Sequence, residues 1–272
     1  KPWSWVAVLM VICLPWLGIK YVPLAAVLVI FLIWNKKSLN DLTLNLQLLT
    51  LVLAGAVYLV VHHRIYGSWT VYATGDHFVN SEWIVVGSSP DYGGRTRRLL
   101  GLIVDRRFGI AAWTPAYLAI PFVVTRMIRR KDDHWQLMIT LCAVCWGIAT
   151  WVALTMHGWW WSGRQIVPIL PIVVVLIAAA VDKHRYAFKA VILTSLIGTF
   201  SWLWLVYETS TGKHTLIVDF ERTSNPWYRF WRLLLPDHQI MSAADHVLTG
   251  IWSAVLVFGC WSIWTRWSPR TG

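Results

Sequence analysis

Six arginines crowd one stretch of the chain, Arg64, Arg95, Arg97, Arg98, Arg106 and Arg107, against the acids Asp76, Glu82, Asp91 and Asp105. A guanidinium presents a planar fork that makes two parallel, charge-assisted hydrogen bonds to a phosphate, which an ammonium cannot do. The chemistry this offers is capture of an anionic ligand at a membrane surface. Arginines at a helix end that meet lipid headgroups along their apolar stems give the same pattern. A second group follows at His157, where Trp159, Trp160 and Trp161 run into Ser162, Gly163, Arg164 and Gln165. Indole faces beside polar groups suit sugar rings, which stack through C–H faces and hydrogen-bond through hydroxyls. Tryptophans of an interfacial belt also look like this. Asp76 and His77, after Gly75, could orient an acceptor or exchange protons with it, and a turn built on Gly75 and Asp76 explains them equally. His62 and His63 lack a carboxylate at ligand spacing, so no metal is expected. Cys142 and Cys145 form a CxxC with no second pair and are expected to pack as small apolar side chains.

The elements that must position these groups are membrane helices. The chain has 272 residues, 57% of them apolar and only 14% charged. That excludes disorder and makes a water-soluble domain untenable. Apolar runs at 3–19, 22–34, 46–61, 108–125, 135–156, 166–181, 188–207 and 247–264 predict an all-α polytopic bundle of about eight spans. The second run is short, so a re-entrant hairpin there is the alternative to a full span. The organisation expected is three spans over 1–62, an extracytoplasmic loop at 63–107 and four spans over 108–207. A second extracytoplasmic loop at 208–246 and a last span with its tail at 247–272 complete it. Within 208–246 the amphipathic stretch from Asn225 to Pro236 is expected as a short interfacial helix, or as a lid.

Orientation follows from lysine and arginine near the spans, which stay cytoplasmic. Lys36 and Lys37, then Arg126, Arg129, Arg130 and Lys131, then Lys183, Arg185 and Lys189 fall on alternate connections, with Arg266 and Arg270 on the same side. The C-terminus is therefore expected in the cytoplasm of a cell whose inner membrane holds the chain. The formal net charge of +11 favours anionic lipid over nucleic acid as partner. Nearly charge-free span interiors argue against a transporter.

Three stretches carry a resemblance. GLIVDRRFGIAAWTPAY from Gly101, WWWSGRQIVPILP from Trp159 and LPWLGIKY from Leu14 are similar to the second half of polytopic GT-C-type glycosyltransferases. The resemblance runs from about Leu14 to Pro171. It implies a membrane enzyme that moves a sugar from a polyprenyl-phosphate carrier to an extracytoplasmic acceptor, with no cofactor beyond that sugar donor. Arg164, followed by Pro168, is then the first candidate for the lipid phosphate, with Arg95, Arg106 and Arg107 behind it, and Trp159, Trp160 and Trp161 would stack on sugar or acceptor. The family's catalytic acid lies in an early exterior loop, and this chain is expected to begin after that loop, so Asp76 and His77 remain weak catalytic candidates. A non-catalytic subunit within a larger membrane assembly is the alternative function.

Overall fold

The computed structural model describes residues 2–34, 42–67, 69, 92–153, 162–181, 185–213 and 222–266, and among these every regular element is helical. The chain divides into two compact units, Lys1–Pro90 and Asp91–Gly272. Among the described residues four helices are long and apolar enough to cross a membrane: Leu42–Tyr66, Trp135–Val152, Arg185–Ser210 and Ala243–Arg266. Their apolar side chains point largely outward, Leu53, Val57, Leu203, Val257 and Phe258 all being exposed. In water that arrangement would be unstable by many tens of kcal/mol on the scale of about 25 cal/mol per Å², whereas in lipid it costs nothing.

In the first unit α1 (Pro2–Leu17) and α2 (Val22–Trp34) form a hairpin, with a single 3₁₀ turn at Ile19–Tyr21 between them. Gly18 sits at φ 152°, where a side chain is strained, and its carbonyl accepts the Tyr21 N–H at 2.9 Å. Both helices are short for a span, about 24 and 20 Å at 1.5 Å per residue. The 25-residue α3 (Leu42–Tyr66) packs on α1. A cleft of about 390 Å³ among the three is lined by Val11, Pro15, Ala25, Val29, Gly55 and Tyr58, among others.

The second unit holds a core of a different kind. A helical turn at Tyr92–Arg95 precedes α4 (Arg98–Val104), α5 (Ile110–Trp113), a 3₁₀ segment at Pro115–Ala119 and α6 (Ile120–Arg130). Next come α7 (Trp135–Gly147), which continues as a π turn over Ile148–Val152, α8 (Leu170–Val181), α9 (Arg185–Ser210), α10 (Pro226–Trp231) and α11 (Ala243–Arg266). The apolar run expected as one span at 108–125 is thus broken into α5, a 3₁₀ segment and the start of α6. Pro115 removes the N–H that would have reached the carbonyl of Ala111 and clashes with a continuing helix. The indole N–H of Trp231 takes that acceptor instead, at 2.9 Å. Ile110, Ala111, Ala112 and Trp113 are covered by protein rather than exposed to lipid. Glycine permits this: a Cβ on Gly109 would lie 2.4 Å from the Asp105 backbone nitrogen, and one on Gly163, at φ +78°, would lie 2.4 Å from Ile110.

Around that core α6 packs against α11, α8 and α7, and α9 packs against the 3₁₀ segment. Gly198 of α9 lets Thr114 approach so closely that a Cβ would meet its Oγ1 at 2.6 Å. One end of the unit gathers residues 105–109, 162–166 and 225–245. The other gathers the C-termini of α6, α8 and α11, where Arg126 donates to the carbonyl of Ala180 and the Arg129 guanidinium lies 5.0 Å over the Trp264 ring.

Candidate functional site

Asp105 organises the first of these ends. It is 1% exposed and lies in the turn after α4. Its Oδ1 accepts the backbone N–H of Arg107 at 2.9 Å and of Phe108 at 2.8 Å, which closes the turn. Its Oδ2 accepts the backbone N–H of His238 at 2.9 Å and faces His238 Nδ1 at 3.2 Å. Burial pushes the carboxyl pKa up, but the His238 side chain and the N–H groups of Phe108, His238 and Arg107 together outweigh it and hold the group below the usual carboxylate range. A carboxylate at that distance requires the proton on Nδ1. His238 Nε2 is then buried with no hydrogen-bond partner among the described residues.

The next two residues extend the lock. Arg106 donates its backbone N–H to Pro236 O at 2.9 Å and its Nε to Leu235 O at 3.1 Å, and pairs with Asp245 at 2.6 Å. Asp245 also accepts the Asp237 and Ser242 backbone N–H groups, both at 2.9 Å. Arg107 pairs with Asp237 at 3.4 Å, while Asp237 Oδ1 accepts the N–H of Gln239 at 2.9 Å. The carbonyl of Arg106 accepts the Tyr228 hydroxyl at 2.9 Å and that of Arg107 accepts the Ser162 hydroxyl at 2.8 Å. Tyr228 is fully buried and stacks on Trp113 with centroids 4.2 Å apart. Burial pushes its phenol pKa up, so the hydroxyl keeps the proton that it donates to Arg106. Asn225 caps α10 by accepting the Tyr228 N–H at 3.0 Å.

The amphipathic stretch expected at the interface therefore presses one face into the protein through Tyr228 and Trp231, while Arg229, Phe230 and Leu233 stay exposed. A parallel device caps the end of the α7 rod. Arg95 donates to the Trp151 carbonyl at 2.6 Å and Arg98 to that of Ala153 at 2.6 Å, supplying donors to acceptors that a helix end leaves without an intrahelical partner. Burial, reinforced by the charge of Arg95, lowers the Arg98 pKa to about 10.

Of the residues singled out by sequence, the structure brings Arg106 and Arg107 together with the turn that carries Arg164, through the Ser162 to Arg107 bond. Arg164 is exposed in that turn, just before the 3₁₀ segment Val167–Ile169 that leads into α8. Arg95 is buried against the α7 end. Asp76, His77, Trp159, Trp160 and Trp161 lie outside the described residues. Asp237, His238 and Asp245 were missed as partners. The available signal was a run of three charges, Asp105 to Arg107, directly between apolar stretches, because buried charges at such a point demand counterparts elsewhere. Comparison with family models, curated proteins and solved structures finds no match to this chain.

Proposed function

We propose that the chain is the carrier-binding part of a polytopic GT-C-type glycosyltransferase of the cytoplasmic membrane. It would make about eight passes with the fourth broken, and its C-terminus would be cytoplasmic. The sugar would come from a polyprenyl-phosphate donor. In such a transfer the bond between the anomeric carbon and the phosphate oxygen breaks, an acceptor hydroxyl oxygen forms the new bond, and its proton passes to a base in another part of the enzyme. The leaving phosphate keeps the electron pair, so a cation fixed beside it lowers the barrier. Arg164 is suited to that role, and Trp159, Trp160 and Trp161, which precede it closely in the sequence, would stack on the sugar or acceptor. The observation that carries this reading is the position of Arg164: exposed, at the start of an apolar helix, in a turn anchored to the Asp105 lock through Ser162.

A second reading is a non-catalytic subunit that packs against other membrane chains. It is favoured by the arginines that turn inward, since Arg95 caps a helix end and Arg106 and Arg107 pair with Asp245 and Asp237. Substitution of Arg164 separates the two. In the full-length protein Arg164→Lys should weaken binding of a polyprenyl-phosphate analogue, followed by titration calorimetry in detergent, by about 1–3 kcal/mol while leaving thermal stability within about 0.5 kcal/mol. Unchanged binding in both Arg164→Lys and Arg164→Gln would make the residue a membrane anchor and leave the subunit reading standing.

A further inference from the structure

The opposite end of the second unit carries more cations than carboxylates among the described residues. Arg126, Arg129, Arg130 and Lys131 occupy the last turns of α6 and the residue after it. Arg266 ends α11, and Arg185 and Lys189 open α9 four residues beyond the end of α8. Against these seven cations the described residues offer two carboxylates, Asp132 and Asp133, so the local balance is 7 − 2 = +5. The ion pair between Arg130 and Asp132 spans 3.5 Å and is partly exposed. Positions 126, 129 and 130 lie on one stripe of α6, offset from the buried stripe of Ile120, Val123 and Met127.

The surroundings decide what such a surface would hold. The cations border apolar surface, with Phe188, Trp261 and Trp264 exposed on the same helix ends. The Arg129 guanidinium over the Trp264 ring is the pairing of an amphipathic ring with a snorkelling cation, which belongs at the depth of lipid phosphates. Arg126 has a structural duty at Ala180, which fixes the stem of the patch.

We infer that the joint end of α6, α8 and α11, with the start of α9, binds the headgroups of anionic phospholipids in the leaflet it meets. The inference depends on the helices crossing a membrane and stands whether or not Arg164 holds a carrier phosphate. Basic clusters between the ends of membrane helices attract anionic headgroups by about fivefold per charge, an effect that salt weakens.

The test is lipid retention by the full chain. The protein is equilibrated in mixed micelles of equimolar phosphatidylglycerol and phosphatidylcholine, and the retained lipids are counted by native mass spectrometry. Phosphatidylglycerol should be retained in preference, and 0.5 M salt added before the count should erode that preference. The combined change Arg129→Gln, Arg130→Gln and Lys131→Gln should reduce it at least about fivefold. The pair Arg129→Lys and Arg130→Lys, which keeps the charge, should leave it. Should the triple variant fold poorly, the exposed pair Arg185→Gln and Lys189→Gln provides an independent arm and should reduce the preference as well. Equal retention of the two lipids by the parent overturns the inference, as does parental preference in both Gln sets. Displacement of the retained lipid by millimolar glycerol phosphate would also overturn it, because the surface would then read a soluble anion.

Discussion

At one end of the second unit Arg106 and Arg107 meet Asp245 and Asp237, and Asp105 holds His238, so the charges are consumed inside the protein. At the other end Arg129 stacks on an exposed tryptophan and Arg130 pairs with a partly exposed Asp132. The same residue type does opposite work at the two ends because partners differ in depth. A carboxylate with 5–6% of its side chain exposed makes an arginine a structural tie, for a charge left unpaired there would cost several kcal/mol. A partner open to solvent adds almost nothing, and the arginine remains available to lipid. The number of arginines therefore says little about function, and the burial of what they face says much.

One substitution at each end separates the two roles. Asp105→Asn keeps the shape but replaces an acceptor oxygen by an NH₂ group, so either the His238 side or the Arg107 and Phe108 side must face a donor. We expect a loss of about 3 kcal/mol in the reversible unfolding of the purified protein in detergent, in line with breaking a buried charged network. Asp132→Asn at the other end should cost less than about 0.5 kcal/mol. Equal losses would mean that depth does not separate the two ends.

Acid titration sharpens the same point with a smaller effect. The folded pKa of Asp105 lies below its unfolded value near 3.9, so its contribution is complete above that value and is lost as pH falls through the folded pKa. The parent should lose stability steeply below about pH 4, and Asp105→Asn should show a shallower slope in that range. Parallel slopes, measured as unfolding midpoints from pH 6 to pH 3, would remove Asp105 from the account.

The all-helical class and the long spans were legible because a stretch such as 188–207 has one feasible state in lipid, a helix with its polar backbone satisfied internally. The run at 108–125 has the same apolar content, yet it is covered by protein. Hydropathy reports that a segment avoids water and is silent on whether lipid or protein replaces it. Gly109, Pro115 and Pro121 were the local signs of a break. At the lock, the arginines were legible as a cluster, but their partners stand about 130 residues away, joined by a connection that no local period encodes. Arg164 was legible as a polar group at a helix start, and its tie to the lock through Ser162 was not.

An effect smaller than that of Asp105→Asn concerns the break itself. If the lock end owes its geometry to the broken segment, then the acceptor that Pro115 strands must be satisfied for that end to hold. Trp231 supplies the donor, and Trp231→Phe removes the indole N–H while keeping an aromatic ring beside Trp227 and Trp252. A carbonyl retains a second lone pair and tolerates partial satisfaction better than a buried N–H would. The loss should therefore be about 1 kcal/mol from the hydrogen bond, with a smaller addition from the reduced ring, read from the same unfolding measurement. Trp264→Phe at the other end keeps a ring under Arg129 and breaks no bond to a stranded carbonyl, so it should cost less. If Trp264→Phe proves the more damaging of the two, the ordered end of the unit is the basic one, and the contrast drawn between a locked end and a lipid-facing end is reversed.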